Sequence, residues 1–318
     1  MTQTRLSALA TLVVLCSGLL WGLYWIPVRR LEAAGLQGAW GTLAITLVAT
    51  ALLLPGALRA RRALASAPPL LLLALMLGGA AFTLYSVGFV YGRVAIVTLL
   101  YFLTPVWSTL IARLLLGQRQ TLSRQLAIGT GLIGLAVMMS AGGGPPLPRA
   151  PGEWMGLIAG MLWALGASGL HGNRQLAPAP SAFVFALGAA LSALALAPFL
   201  SPIDDSFPVS VSVFGWLLAA GGLWWGLSIA ALIWAAARLE PARVGLLLMS
   251  EVLVGAASAA LLAHEPLSAP ELLGGGLVLA AGLLEIAPRR RAPKGPAGTA
   301  QRDSATTGSS REALRAGR

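Results

Sequence analysis

The residue whose type and position most clearly predict chemistry is Glu251, a carboxylate within the otherwise uncharged apolar run 244–263. A charged side chain at the centre of a bilayer costs roughly 2.5 to 3.5 kcal/mol, so this one should face a bundle interior or a wet cavity. There it suits proton coupling or the binding of a cationic substrate. In the alternative interpretation Glu251 is structural, and it either caps a broken helix or pairs with Arg243 or another base.

Aromatic residues form a second group of candidates, because their rings stack on apolar and cationic substrates. For any single ring the alternative is an interfacial belt or simple packing. The rings of interest are Trp21, Tyr24, Trp25, Tyr85, Tyr91, Tyr101, Trp163, Trp224 and Trp225. We predict a substrate-binding or coupling site that draws on Glu251, Ser250, Trp21, Tyr24, Trp25, Tyr101, Trp163 and Trp224.

Few other residues predict chemistry. Cys16 is the only cysteine, which excludes an internal disulfide and a CxxC centre. His171 and His264 fall at predicted helix ends on opposite sides of the membrane, too far apart to form a metal pair. The sequence contains no Walker A, HExxH or nucleophile-elbow pattern. We therefore predict no catalytic residue, no metal and no cofactor, and expect a protein that is not an enzyme.

The elements that must position these residues are membrane-spanning helices. Of 318 residues, 57% are hydrophobic and 10% charged, with a mean hydropathy of +0.80, which is more apolar side chain than one soluble core can bury. The runs lack the alternation of barrel strands, so the fold class is all-α. Runs of roughly 20 residues predict ten helices, near 8–28, 36–58, 69–91, 94–116, 123–141, 153–173, 181–200, 211–237, 243–263 and 269–287. Pro27 and Pro105 predict kinks.

Basic residues indicate the orientation of the helices. A cytoplasmic N-terminus, 1–7, leaves Arg29, Arg30, Arg93 and Arg149 outside and most other arginines inside, as the positive-inside rule favours. Both termini are then cytoplasmic, and 288–318 is a disordered basic tail. The net charge of +11 does not form an aromatic-interleaved face, so we predict the lipid bilayer, and no nucleic acid, as partner.

An internal repeat divides the chain into two halves, 8–141 and 153–287, joined by a Gly/Pro linker, 142–152. The stretch around Trp21 is echoed 142 residues later around Trp163, and Arg93-Val94 is echoed by Arg243-Val244. Because five spans are an odd number, two copies in series must cross the membrane in opposite senses. Such inverted repeats are typical of secondary transporters, with a central cavity between the halves.

At this point the sequence resembles the EamA-type transporters of the drug/metabolite transporter superfamily. The resemblance covers residues 8–287 and rests on the Trp-Gly motif of helices one and six, the stretch Pro105-Val106-Trp107, the helix ends near Gly117-Gln118 and His264-Glu265, and the Gly-rich fifth and tenth helices. It implies ten helices around a central cavity, no ATP site, and transport of small metabolites. Gln118 departs from the glutamate usual in the family.

The function predicted from these observations is secondary transport, in the direction of export, of amino acids or amphipathic solutes by alternating access. Proton coupling and its absence both stay open, as do a monomer and a homodimer in a bacterial inner membrane. Two alternatives are weighed: a membrane-embedded enzyme acting on lipid-type substrates through Asp204-Asp205 and His264-Glu265, and a non-transporting scaffold that uses the tail.

Overall fold

The computed structural model describes residues 3–114, 122–169, 176–201, 210–236, 238–239 and 241–286. Within these residues all regular structure is helical. The helices are α1 (Gln3–Gly22), α2 (Trp25–Ala33), α3 (Trp40–Arg59), α4 (Arg61–Ala65), α5 (Pro69–Tyr91), α6 (Val94–Tyr101), α7 (Thr104–Leu114), α8 (Leu122–Ser140), α9 (Pro151–Gly169), α10 (Pro178–Leu200), α11 (Val211–Leu218), a π-helical segment (Ala219–Leu227), α12 (Ser228–Ala236), α13 (Pro241–Leu248), α14 (Ser250–Leu262) and α15 (Ala269–Ile286). The predicted tail, 288–318, His171, Gln118 and the Asp204-Asp205 pair lie outside the described residues.

Several helical segments have the length and hydropathy of membrane spans. Five meet both requirements: Arg5–Ala33, Trp40–Arg59, Pro69–Tyr91, Val94–Ile111 and Pro178–Leu200. Shorter apolar helices run over Gln125–Ser140, Val211–Leu227, Ser250–Leu262 and Ala269–Leu284. The all-helical class and the membrane character are thus confirmed, whereas ten spans arranged as two inverted repeats stay a prediction.

Four of the predicted spans, 8–28, 94–116, 211–237 and 243–263, are not continuous α-helices. The kinks expected from proline are confirmed: α1 gives way to α2 just before Pro27, and α6 gives way to α7 just before Pro105. In both cases the ring removes a backbone donor and crowds the carbonyl four residues earlier. The break between α13 and α14 at Met249 contains no proline and fits the alternative in which Glu251 lies at a broken helix. The π-helical segment also lacks proline, and the sequence did not predict it.

Glycines let helices from the two halves pack closely in a reciprocal pattern. Helix α1 packs on α14 through Gly22, where a Cβ atom would lie 2.7 Å from the carbonyl oxygen of Glu251. Helix α9 packs on α6 through Gly160, where a Cβ atom would lie 2.8 Å from the carbonyl oxygen of Tyr101. Small residues at helix interfaces permit such close approach of two backbones. In the repeat that the sequence predicts, α1 corresponds to α9, and the span of α6 corresponds to the span of α14. The two contacts therefore correspond to each other.

One end of the bundle carries ion pairs between distant segments. The Arg29 guanidinium lies 2.7 Å from a Glu265 carboxylate oxygen, and Arg93 pairs with Glu271. Arg93 also donates to the Pro266 carbonyl oxygen at 2.7 Å. We call the four charged residues the Arg93 bracket, and this end of the bundle the Arg93 end. The bracket joins Arg29 of α2 to Glu265, in the segment between α14 and α15, and Arg93, just before α6, to Glu271 in the first turn of α15.

The reciprocal packing predicts a large difference between two Gly→Ala substitutions. Gly160→Ala should lower the free energy of unfolding by about 1 to 3 kcal/mol, because the new methyl group meets backbone that cannot move aside. Gly129→Ala in α8 meets no atom within 4 Å, so it should leave stability equal or slightly higher. Thermal unfolding of both variants in one detergent measures the difference. Equal loss of stability in the two variants would contradict the packing described.

Candidate functional site

The centre of the described helices is occupied by nine aromatic side chains from both halves. We call them the aromatic cluster: Trp21, Tyr24, Phe82, Tyr85, Tyr101, Trp163, Phe185, Trp224 and Trp225. They come from α1, the residues just after it, α5, α6, α9, α10 and the π-helical segment. The interrupted helices therefore converge on the cluster, since α1 and α6 contribute rings beside their breaks. A π-helical turn is itself frequent at functional sites.

Phe82 is the ring that connects the cluster. Trp225 packs edge-to-face on it with a centroid distance of 4.5 Å, and Trp21 does so at 5.2 Å. Tyr85 and Phe185 approach the same ring at 6.2 and 6.3 Å. These separations are within the range in which aromatic pairs attract one another beyond simple burial. Phe82 thus contacts Tyr85 on its own helix and rings from three other segments, which are α1, α10 and the π-helical segment.

Glu251 lies at the edge of the cluster in the first turn of α14. The Tyr85 hydroxyl donates to its carboxylate at 3.2 Å, and the Tyr85 ring stacks on Tyr101 with centroids 4.4 Å apart. The Thr98 hydroxyl lies 3.4 Å from the Tyr85 hydroxyl. Among the described residues no ion pair joins Glu251 to Arg243 or to another base. The position in a first turn fits the alternative of a residue beside a helix break.

Tyr101 and Glu251 occupy equivalent positions in the repeat that the sequence predicts. Each stands eight residues after the arginine of the repeated Arg-Val pair, Arg93 for the first and Arg243 for the second. Tyr101 is the last residue of α6, and Glu251 is the second residue of α14, so each flanks the break in its span. Tyr85 contacts both side chains. The two positions differ in chemistry, because only one carries a carboxylate, and in geometry, because Tyr101 precedes its helix break whereas Glu251 follows its own.

The indole N–H groups of Trp21 and Trp224 are engaged in hydrogen bonds that fix their rings, whereas the buried indole N–H of Trp225 has no hydrogen-bond partner among the described residues. Trp21 donates to the Ser228 hydroxyl at 3.0 Å. Trp224 donates to the Leu20 carbonyl oxygen at 2.8 Å, beside the break after α1. Buried indole N–H groups generally require such partners. With these donors occupied, Trp21 and Trp224 offer ring faces rather than hydrogen bonds to a bound solute.

Two of the predicted site residues lie apart from the cluster. Ser250 donates to the Leu247 carbonyl oxygen at 2.7 Å and faces Gly18, so it serves the helix break and the packing of α1. Trp25 donates to Ser258 at 2.9 Å, and the Arg29 guanidinium lies 5.6 Å from its ring, towards the Arg93 end. The other predicted residues lie within the cluster or, for Glu251, at its edge.

The structure adds residues that the sequence did not single out. Phe82 and Phe185 belong to the cluster, although nothing in their types distinguishes them from core residues. Tyr85 is more important than its place among the wider set of rings suggested, because it bridges Tyr101 and Glu251. The spacing of Phe82, Tyr85 and Phe89 along one face of α5 is the sequence pattern that could have identified Phe82 and Tyr85.

Parts of the site are not fully buried. Trp21, Tyr101, Trp163 and Glu251 are partly exposed. Two surface pockets lie elsewhere, one of about 510 Å³ beside Arg93, Arg149, His264 and Glu271 and a second beside Ala136 and Pro270. Among the described residues no group of histidine, cysteine or carboxylate side chains is arranged to hold a metal ion.

Comparisons with known proteins relate this chain to a family of transporters. Residues 8–140 match the EamA-like transporter family. A solved crystal structure, described only as that of a protein, is 19% identical, with 86% of this chain and 95% of that chain covered and a TM-score of 0.56, which shows a shared fold. No curated protein matches the chain. Residues 8–140 of this chain thus match the EamA-like transporter family, a domain of the drug/metabolite transporter superfamily.

Proposed function

We propose that the protein is a secondary transporter that exports small amphipathic metabolites, such as amino acids, by alternating access coupled to protons. The aromatic cluster and Glu251 form its substrate site. The observation that carries this proposal is the position of a partly exposed carboxylate where two broken helices meet an aromatic cluster. The proposed location is a bacterial inner membrane with both termini cytoplasmic, as a monomer or homodimer.

Broken helices support a transport site because they release polar backbone groups inside the membrane. Transporters with inverted repeats commonly bind solutes near the midplane, between discontinuous helices contributed by both halves. Here α6 ends at Tyr101 and α14 begins at Ser250, and the two ends face each other across Tyr85. Irregular backbone at this depth is tolerated where it is buried in protein or lines a cavity.

Alternating access also requires contacts that close one end and can be released. The Arg93 bracket supplies such contacts, because its two ion pairs join the first half of the chain to the second. Glu265 additionally accepts the Val94 N–H at the start of α6 at 2.8 Å. Opening the Arg93 end requires these bonds to separate. Exposed and partly exposed pairs contribute only about 1 kcal/mol each, which is small enough for a conformational cycle.

The alternative functions receive less support from the structure. A membrane-embedded enzyme needs several free polar groups that converge at one face. Glu265, from the set considered for such an enzyme, is instead engaged with Arg29 and the Val94 N–H. The scaffold alternative depends on the tail, which lies outside the described residues. Deleting 288–318 separates the two proposals, since a transporter should keep most of its transport rate.

The proposal predicts that Glu251→Gln abolishes transport driven by a pH gradient. Glutamine keeps the shape and accepts the Tyr85 hydrogen bond, but it cannot exchange a proton. Purified protein in liposomes, a panel of amino acids and amphipathic solutes, and an imposed pH gradient measure the effect. Glu32→Gln is the matched control, because Glu32 lies away from the cluster and glutamine still accepts the Gly38 N–H. Gradient-driven uptake that survives in Glu251→Gln would show that this carboxylate does not couple transport.

The Arg93 bracket predicts a shift in accessibility when its charges are removed. In a Cys16→Ser background, Thr98→Cys places a thiol one turn below the Val94 contact. Loss of both ion pairs in Glu265→Gln with Glu271→Gln should favour the conformation open at the Arg93 end by about 1 to 2 kcal/mol. Labelling by a membrane-impermeant thiol reagent should then be roughly 5- to 30-fold faster. An unchanged rate would exclude the bracket as a closing contact.

A further inference from the structure

We infer that the Arg93 end carries a binding site for an anionic glycerophospholipid, with the headgroup phosphate beside Arg149 and an acyl chain along α8 and α15. The observation that carries the inference is a charged surface pocket that adjoins an apolar one at the ends of two apolar helices. The inference is independent of the proposed function, because this surface is separate from the aromatic cluster and from Glu251.

The two pockets of the Arg93 end share a wall. The first, of about 510 Å³, is lined mainly by polar residues, which include Arg93, Arg149, His264, Glu265, Ser268 and Glu271. The second, of about 420 Å³, is lined by Ala136, Val137, Ser140, Ala141 and Pro270. Ala141 lines both, so the two pockets are neighbours. A surface that is charged at one end and apolar at the other fits an amphiphile better than a free ion.

The position of the pockets matches the boundary of a bilayer. Helix α8 ends at Ser140 and α15 begins at Ala269, so the second pocket lies beside the ends of apolar helices, and the first includes the segments beyond them. Trp154, in the first turn of α9 at the same end, is 43% exposed. Exposed tryptophans favour the level of the lipid headgroups. A phosphate at this level therefore lies close to the first pocket.

The apolar surface continues from the second pocket towards the middle of the helices. Ile133 lies one turn before Val137 on α8, and Leu273 lies one turn after Pro270 on α15. The side chains of Ile133 and Leu273 are 59% and 63% exposed. Because residues three or four apart share one face of a helix, these side chains extend the apolar surface in line with the pocket. An acyl chain that starts at the first pocket has this surface to follow.

The charge of the first pocket favours an anion. Its two carboxylates are already paired, Glu265 with Arg29 and Glu271 with Arg93. In the part of the chain that the structure describes, no carboxylate forms an ion pair with Arg149, whose guanidinium donates to the Met139 carbonyl oxygen at 3.3 Å. A guanidinium has five N–H donors, and its geometry matches a phosphate. Arg149 therefore has donors left for a headgroup phosphate.

Glu153, the carboxylate closest to Arg149 in the chain, has a different role. It accepts the backbone N–H groups of Arg149 at 2.7 Å and Ala150 at 3.4 Å, at the start of α9. Backbone N–H groups and the helix dipole compensate a carboxylate at this position. A zwitterionic lipid would bring a quaternary amine to a pocket whose own acids are paired. An anionic lipid leaves no such group without a partner.

Two phospholipids with identical acyl chains test the charge requirement. Native mass spectrometry of the full-length protein in detergent measures the binding of dioleoyl phosphatidylglycerol and dioleoyl phosphatidylcholine at equal concentrations. We expect phosphatidylglycerol to bind at least about fivefold more tightly. Glycerol 3-phosphate tests a free phosphate, and should bind at least about tenfold more weakly than phosphatidylglycerol, because it has no chain for the apolar surface. Equal binding of the two lipids, or of glycerol 3-phosphate and phosphatidylglycerol, would overturn the inference.

Variants of one arginine locate the phosphate. Arg149→Gln should remove most of the preference for phosphatidylglycerol, and Arg149→Lys should keep part of it, because the charge remains while the forked geometry is lost. Arg61→Gln is the matched control, since Arg61 is an exposed arginine of α4 at the opposite end of α5. It should leave the preference unchanged. An equal loss in Arg61→Gln and Arg149→Gln would show general attraction to a basic surface and would overturn the site.

A variant of the apolar pocket locates the acyl chain and does not depend on Arg149. Ala136→Phe fills the second pocket, so it should weaken the binding of both lipids about fivefold or more while glycerol 3-phosphate binding stays the same. Ala51→Phe, at an exposed position of α3 outside both pockets, is the matched control and should bind lipid as the unchanged protein does. If Arg149→Gln does not fold, Ala136→Phe decides. Unchanged lipid binding in Ala136→Phe would overturn the inference.

Discussion

The cost of an unpaired polar group in apolar surroundings is the constraint on which the site depends. Each break in a span releases carbonyl oxygens that a continuous helix would satisfy, and a side chain supplies a partner at each one. Trp224 donates to the Leu20 oxygen, Thr104 donates to the Tyr101 oxygen at 2.7 Å, and Ser250 donates to the Leu247 oxygen. The side chains that stabilise the breaks therefore belong to the aromatic cluster or lie next to its members.

Close approach of the helices is the second requirement, and glycine provides it reciprocally. Helix α1 lies against the backbone of Glu251, and α9 lies against the backbone of Tyr101. Glu251 and Tyr101 are thus packed in the same way, and they correspond to each other in the repeat that the sequence predicts. A carboxylate at one and a phenol at the other give the site a single charge instead of two. Two facing carboxylates would repel each other, and one of them would have to stay protonated.

The sequence predicted the class of the fold better than it predicted which rings form the aromatic cluster. Hydropathy and the repeat suffice to identify an all-helical membrane protein, because the bilayer imposes long apolar runs. Glu251 was identifiable because a lone carboxylate in such a run is costly. Phe82 and Phe185 were not singled out, because residue type does not distinguish an apolar ring in an apolar run from a core residue, although Phe82 shares one face of α5 with Tyr85 and Phe89. The break at Met249 was raised only as an alternative for Glu251, since neither proline nor glycine occupies it.

Helix α6 connects the two regions that a transport cycle must coordinate. Its first residue, Val94, donates its N–H to Glu265 of the Arg93 bracket, and its last residue, Tyr101, stacks on the tyrosine bound to Glu251. Eight residues of helix span only about 12 Å and move as a rigid unit. A displacement at the bracket therefore changes the position of Tyr101 against Tyr85. Because Tyr85 is the hydrogen-bond donor to Glu251, release of the Arg93 end alters the surroundings of the carboxylate directly, with no longer chain of contacts required.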